Sequence, residues 1–418
     1  MEKFIGIIGL LVMFGIAFGL CKREDWKYIN LRVVIGGTLM QLLFAFLILK
    51  TPVSKIFDWA NIAVNELLNF TNKGSGFIFG NLINAGNENI GFIFAFQVLP
   101  TIIFFSSLMT VFYYLGVMQF IVNIIAKAMV KTLKTSGSET LSAAANIFVG
   151  QTEAPLVIKP FVEKMTNSEL MAIMVGGMAT VAGGVMASYV GLLRASIPDI
   201  AGHLMAASVM SAPAALVMAK IMIPEKETSE TAGEDVSLAV ERVDANIIDA
   251  AARGAGEGLT LALNVGAMLL AFIALIAMVN AGVGWLGSLA GIQALSLEKI
   301  FGWVFSPLAF LMGVPWADAQ TIGALLGEKT MINEFVAYSH LAEMLKSGSG
   351  IELQKRSAVI ATYALCGFSN LSSIAIQIGG IGGIAPSRRG DLARLGIRAV
   401  IAGSLACFMT ATIAGMLI

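Results

Sequence analysis

Two acidic residues stand where apolar surroundings make an ionised group expensive: Glu153, within Gly150-Gln-Thr-Glu-Ala-Pro155, and Glu334, within Asn333-Glu-Phe-Val-Ala-Tyr338. A charge at bilayer depth costs roughly 3 kcal/mol or more, so its presence points to use. Each acid has polar company, Gln151 and Thr152 beside the first and Asn333 beside the second, on a segment interrupted by glycine or proline. Polar groups on broken backbone inside a membrane are the materials of a substrate or ion pathway. The competing reading pairs each acid with a base for stability alone; the additional polar groups at both places favour a site. A third cluster, Cys366-Gly-Phe-Ser-Asn-Leu-Ser-Ser373, sets an aromatic ring, an amide and hydroxyls together. The spacing of three between Asn370 and Ser373 puts both on one helical face, with Phe368 nearby. In an earlier helix Gly176, Gly177, Gly183 and Gly184 surround Thr180, where close packing is the competing explanation.

The composition places these residues in lipid. The chain is 57% hydrophobic and 13% charged, about half the charged share of a soluble domain. Its 27 basic residues balance 27 acidic ones, which leaves no electrostatic case for nucleic acid. Cys21, Cys366 and Cys407 lie in apolar stretches and read as small buried hydrophobes, and the two histidines, His203 and His340, are far apart in sequence. Uncharged runs long enough to span are Phe4 to Cys21, Val33 to Leu49, Asn89 to Ala126, Leu170 to Leu193, Ile200 to Ala219, Gly258 to Leu297, Ser357 to Ser387 and Ala399 to Ile418. The first lacks a cleavage site and is followed by Lys22 and Arg23, so it reads as an anchor. The third would be about 57 Å long as one helix and is expected to tilt strongly or to bend near Pro100.

An outward N-terminus puts most of the 27 Lys and Arg residues in the cytoplasm. Residues 140–158, carrying Gly150, Glu153 and Pro155, are expected to enter the membrane and return as a hairpin. A second hairpin, from about Ile300 to Tyr338, is broken by Pro307, Pro315 and Gly323 and carries Asp318, Glu328, Lys329 and Glu334. Each hairpin is followed by two helices, and the two sets start on opposite sides. That is an inverted repeat, the arrangement in which secondary transporters hold substrate at the midplane. The reading is an all-α polytopic membrane protein: eight transmembrane helices, two re-entrant hairpins of opposite orientation and an amphipathic interfacial stretch from Ile56 to Phe70. It divides into scaffold helices at 1–135, a first transport unit at 136–222, a solvated cytoplasmic linker at 223–257, a scaffold helix at 258–297 and a second transport unit at 298–418.

The runs Ala143-Ala-Ala-Asn-Ile-Phe-Val-Gly-Gln-Thr-Glu-Ala-Pro155, Asn333-Glu-Phe-Val-Ala-Tyr338 and Cys366-Gly-Phe-Ser-Asn-Leu-Ser-Ser373 resemble the motifs of the concentrative nucleoside transporters. The similarity extends over nearly the whole chain. It implies a cation-coupled symporter that imports nucleosides such as uridine or adenosine across a bacterial inner membrane, as a multi-pass homotrimer whose scaffold surrounds a mobile transport domain in each protomer. By the same resemblance Gln151, Thr152, Glu153 and Val185 face the base. Glu334, Asn370 and Ser373 face the ribose, and Phe368 packs against the ligand. A carboxylate accepting from two sugar hydroxyls makes charge-assisted bonds. The resemblance further implies a sodium site at Asn146, Thr180 and the carbonyls of Val149 and Val181, with a proton carried by Glu153 or Glu334 as the alternative. One cation crossing 100 mV supplies about 2.3 kcal/mol, roughly forty- to fifty-fold accumulation.

Two other functional classes fit the sequence less well. An intramembrane enzyme using Glu153 or Asp318 lacks a paired nucleophile and base inside a span. A passive channel fits hairpins of opposite orientation less well than alternating access does.

Overall fold

The computed structural model describes residues 2–83, 93–232, 244–346 and 350–418, and among them every regular element is helical. The chain opens with two apolar helices, α1 (Glu2–Leu20) and α2 (Leu31–Lys50), then α3 (Ser54–Phe79), α4 (Phe94–Gln97), α5 (Leu99–Tyr114) and α6 (Val117–Leu133). The first repeat holds α7 (Gly137–Ala145), α8 (Lys159–Val162), α9 (Asn167–Ala179), α10 (Gly183–Leu193) and α11 (Ile200–Met222). After α12 (Ile247–Leu289) come α13 (Leu297–Leu311), α14 (Trp316–Met331), α15 (Glu334–Met344), α16 (Lys355–Leu365), α17 (Leu371–Ile384) and α18 (Arg389–Leu417). Each of the eight apolar runs has a helical counterpart. Among the described residues six helices are long and apolar enough to cross a bilayer, and the remaining two runs correspond to the shorter helices Ile5–Leu20 and Leu371–Ile384.

Burial separates a core from a surround. In α11 and α18 the most apolar window is 89% and 83% buried, whereas in α12 it is 11% buried. Helices α11 and α18 pack on each other and on α9, while α12 lies along α5 and shows Leu263, Leu270, Met278 and Trp285 to the outside. A 43-residue helix that is apolar on its exposed side needs lipid or protein around it. Amphipathic α3 does the same on a smaller scale, exposing Ile56, Trp59 and Ile62.

Two capping boxes fix where the first repeat begins. Ser136 and Glu139 cap α7 reciprocally, and Thr166 and Glu169 cap α9, so each start satisfies its own first amides. Ser136 Oγ also donates to Glu169 Oε1 at 2.6 Å, which ties the two starts together. The buried Lys220, near the end of α11, pairs with Glu139 at 2.7 Å and Glu225 at 3.4 Å.

Several expectations change in detail. The segment after α11 is not solvated from its beginning: Ser229 and Thr231 are buried, and Ser229 Oγ donates to Glu169 Oε1 at 2.6 Å. Residues 233–243 of that segment lie outside the described residues, and α12 begins at Ile247, inside it. The run from Asn89, whose first four residues are likewise outside, is not one span. A helix restarts at Leu99 with Pro100 in its first turn, and a second break falls at Gly116, whose φ of +79° favours glycine. In the second hairpin, α13 and α14 meet at 118° and the chain reverses again at Ile332 and Asn333. Pro307 stays inside α13, and Gly323 does not break α14. A Cβ at Gly323 would lie 2.8 Å from Ser306 N and 2.9 Å from Gly302 O, so this glycine is a notch that lets α13 approach.

Candidate functional site

The two helices that follow the hairpins are both broken, and they cross at their breaks. Helix α9 stops at Ala179 before α10 restarts at Gly183; α16 stops at Leu365 before α17 restarts at Leu371. At the crossing the Phe368 amide donates to the Thr180 carbonyl at 3.3 Å. Gly367, at φ +135°, makes the approach feasible, because a Cβ there would come within 2.7 Å of Cys407 Sγ and 2.9 Å of Met178 O. Cys407, on α18, lies 3.0 Å from the Cys366 carbonyl and 3.5 Å from that of Ala179, so one thiol serves the carbonyl ends of both half-helices.

The tip of the first hairpin seats on this crossing. The Gly183 amide donates to the Phe148 carbonyl at 3.0 Å. Gly177 admits Gln151, since a Cβ on it would be 2.7 Å from Gln151 Cβ and 3.0 Å from its Cα; Gly176 sits against Asn146 in the same way. These two glycines are therefore packing contacts that position site residues. Gln151 Nε2 donates to Ser373 Oγ at 3.1 Å, and Gln377 Nε2 donates to Gln151 Oε1 at 3.1 Å and to the Met174 carbonyl at 2.9 Å. Thr152 is half-buried with its methyl against Gly380.

Glu153 points elsewhere. Its carboxylate folds back over Gly150 and is exposed to a cavity of about 420 Å³. One wall is the hairpin tip with Ala182, Gly183 and Gly184; the other is Ser106, Thr110 and Tyr113 of α5 with Arg253 and Glu257 of α12. The volume is that of a small-molecule site. Within that lining Arg253 pairs with Asp244 at 2.6 Å and Glu257 at 2.8 Å.

Glu334 is buried and held from two sides. Tyr189 Oη donates to its Oε1 at 2.8 Å, and Asn370 Nδ2 donates to its Oε2 at 2.8 Å. It stands at the first position of α15, where the helix N-terminus favours an anion. Asn370 is not on a helical face with Ser373 but caps α17, accepting from the Ser373 amide at 2.9 Å through Oδ1; a spacing of three fits an N-cap and the third helical residue equally well. Val185 is buried one turn before Tyr189, and Phe368 is half-buried beside the break. The structure thus gathers Gln151 with Ser373, and Glu334 with Asn370, while Glu153 faces a separate cavity.

Asn146 packs on Gly176 in the last turn before the first break, and its buried Oδ1, like Ser142 Oγ one turn earlier in α7, has no partner among the described residues. Thr180 is buried and donates its hydroxyl to the Gly176 carbonyl at 2.9 Å, which leaves the oxygen's lone pairs as acceptors. Val181 is fully buried and Val149 half-buried. Oxygens without donors, beside the carbonyl end of a half-helix, fit a hard monovalent cation.

Three family models match the chain. One is described as the C-terminus of a Na+ dependent nucleoside transporter, over residues 203–415; another as the N-terminus of the same family, over 8–82; a third as nucleoside recognition, over 95–196. The chain is 47% identical over 415 residues to an uncharacterized transporter of Bacillus subtilis (strain 168), covering 99% of each. It is 42% identical over 421 residues to the nucleoside permease NupC of Helicobacter pylori, covering 100% of this chain and 98% of that one. Among solved structures, CNTnw in an inward-facing substrate-bound state superposes with a TM-score of 0.92 at 45% identity, covering 100% of this chain and 98% of the other.

Proposed function

We propose that this chain, which belongs to the Na+ dependent nucleoside transporter family, imports nucleosides across a bacterial inner membrane by cation-coupled alternating access. The observation that carries the reading is the crossing of the two broken helices, with Gln151, Ser373, Glu334 and Asn370 gathered around it. Gln151, Thr152 and Val185 would meet the base, with Glu153 reaching it from the cavity side. Glu334, Asn370 and Ser373 would meet the ribose, and Phe368 would pack on the ligand.

Exchange of partners makes such binding inexpensive. Gln151 and Ser373 bond each other, and Glu334 bonds Tyr189 and Asn370. A nucleoside wedged between the hairpin tip and α17 replaces one protein hydrogen bond by two to the ligand, so few polar groups are stranded at any stage. Asn146 and Thr180, with the carbonyls of Val149 and Val181, would hold sodium as the coupling ion, and the orphaned Asn146 Oδ1 supports that choice over a proton on Glu153 or Glu334. The cavity from Glu153 to Arg253 would be the exit path, with the segment at 223–257 on the cytoplasmic side. The exposed apolar side of α12 suits a scaffold contact between protomers of a homotrimer.

Uptake of radiolabelled uridine and adenosine into proteoliposomes, with sodium and proton gradients imposed separately, tests the reading. Accumulation above the external concentration on a sodium gradient is expected. Equilibration without accumulation would make the protein a channel, and accumulation on protons alone would move the coupling to a carboxylate.

A further inference from the structure

Lys329 is the one fully buried lysine among the described residues that forms no salt bridge within 4.0 Å. It lies near the end of α14, the arm that leads to the tip of the second hairpin, and its Nζ donates to the Ala364 carbonyl at 2.8 Å. Ala364 is in the last turn of α16, immediately before the second break. The Phe408 ring faces the ammonium at 5.5 Å, and the Glu334 carboxylate lies within its electrostatic reach.

Breaking a helix inside a membrane leaves the last carbonyls of its first half without amide partners and concentrates the negative end of its dipole there. Both breaks carry this liability, and the inverted repeat places them at matching points. At the first, an arm of hairpin one brings Asn146, whose buried Oδ1 has no partner among the described residues, against Gly176 in the last turn of α9. At the second, an arm of hairpin two brings an ammonium to the end of α16. One repeat offers ligands for a positive charge; the other has the charge attached.

We infer that Lys329 is a tethered cation filling the second repeat's counterpart of the first repeat's cation site, so that one free ion completes an arrangement built for two. The inference rests on the proposed sodium site at Asn146 and Thr180 for the count of free ions. The role of Lys329 at the second break stands on its own contacts. Removing the side chain to its Cβ vacates a site whose ligand class is a small monovalent cation or a primary alkylammonium.

The test compares the full-length parent with Lys329→Ala and Lys329→Met. Thermal unfolding of detergent-extracted protein is followed in choline, sodium and propylammonium chloride at one ionic strength. Lys329→Met keeps the length without the charge, so both variants are expected to lose several degrees. Propylammonium is expected to restore Lys329→Ala, and to leave the parent and Lys329→Met where they were. In proteoliposomes, uridine uptake by Lys329→Ala should become sigmoidal in sodium where the parent is hyperbolic. The inference is overturned if Lys329→Met matches the parent in stability and sodium dependence, or if Lys329→Ala ignores both propylammonium and sodium. Should Lys329→Ala not fold, Lys329→Arg decides against Lys329→Met: retained charge is expected to keep the protein folded, and equal loss of both overturns the inference. A parent that takes up uridine without sodium would remove the first-repeat site, while the unfolding comparison would still report on Lys329.

Discussion

The Phe368 amide donates to the Thr180 carbonyl at 3.3 Å, and this single bond joins the unwound centres of the two repeats. Phe368 belongs to the stretch proposed for ligand packing and Thr180 to the stretch proposed for the cation, so the bond is a direct backbone link between the two proposed sites. Coupling between ion and nucleoside needs such a two-ended element, whose position both ligands bias.

Thr180→Val tests the ion end. Valine keeps the shape, and the carbonyl that accepts from Phe368 is unchanged, but the hydroxyl ligand is gone. The sodium concentration for half-maximal uptake is expected to rise several-fold with little change in maximal rate. An unchanged sodium dependence would take Thr180 out of the ion site.

Gly177→Ala tests the seating of the hairpin tip. The added methyl would meet Gln151 Cβ at 2.7 Å and its Cα at 3.0 Å, and backbone cannot swing aside as a side-chain end can. Overpacking of this kind costs roughly 1–3 kcal/mol. Uridine binding should weaken by about tenfold or more in protein that still extracts in folded form. Gly191→Ala is the control, because nothing lies within 4 Å of a Cβ there.

Orientation is open to a labelling experiment at the segment after α11. Ser229 is unsuitable because it is buried against Glu169, but Ala232 is exposed. Ala232→Cys is expected to react with an impermeant thiol reagent in inverted vesicles and to resist it in intact cells. The native Cys21, Cys366 and Cys407 are all buried, and the parent chain measures their background. Labelling in intact cells would reverse the topology.

How much of the site could be read from the sequence depended on helical geometry. Charge inside apolar runs marked Glu153 and Glu334, and Gly150 with Pro155 marked the first hairpin, because both signals are local. The partners that the reading lacked are each one turn from a residue it named: Ser142 from Asn146, Tyr189 from Val185 and Gln377 from Ser373. Residues four apart share a helical face, so that rule would have found them once the elements were placed. The sequence shows Lys329 only as a charge on the second hairpin, because its partner is the backbone carbonyl of Ala364, thirty-five residues away, which no pattern of side chains reveals. Gly323, expected to break the second hairpin, is instead a notch for α13, and Gly116, on which no expectation was placed, is where a helix ends. A glycine that breaks a helix and one that lets another helix approach look alike until the neighbour is known.

Glu334 carries the sharpest expectation, since a chemical role is attached to one carboxylate. Tyr189 and Asn370 each take one oxygen, yet an ionised carboxylate has about four acceptor positions, which leaves room for two sugar hydroxyls. A hydrogen bond to a charged group is worth roughly 1.5–3 kcal/mol, so 2′- or 3′-deoxyuridine should bind the parent about ten- to a hundred-fold more weakly than uridine. In Glu334→Gln uridine binding is already weakened, and deleting the hydroxyls should cost much less again. The comparison is a double-mutant cycle between protein and ligand. Gln151→Ala, on the base side, should lower affinity while keeping the full deoxy penalty. Isothermal titration or competition uptake measures all the terms on the same preparation. Equal penalties in the parent and in Glu334→Gln would return Glu334 to a structural role, as the buried acid that Tyr189 and Asn370 hold in place.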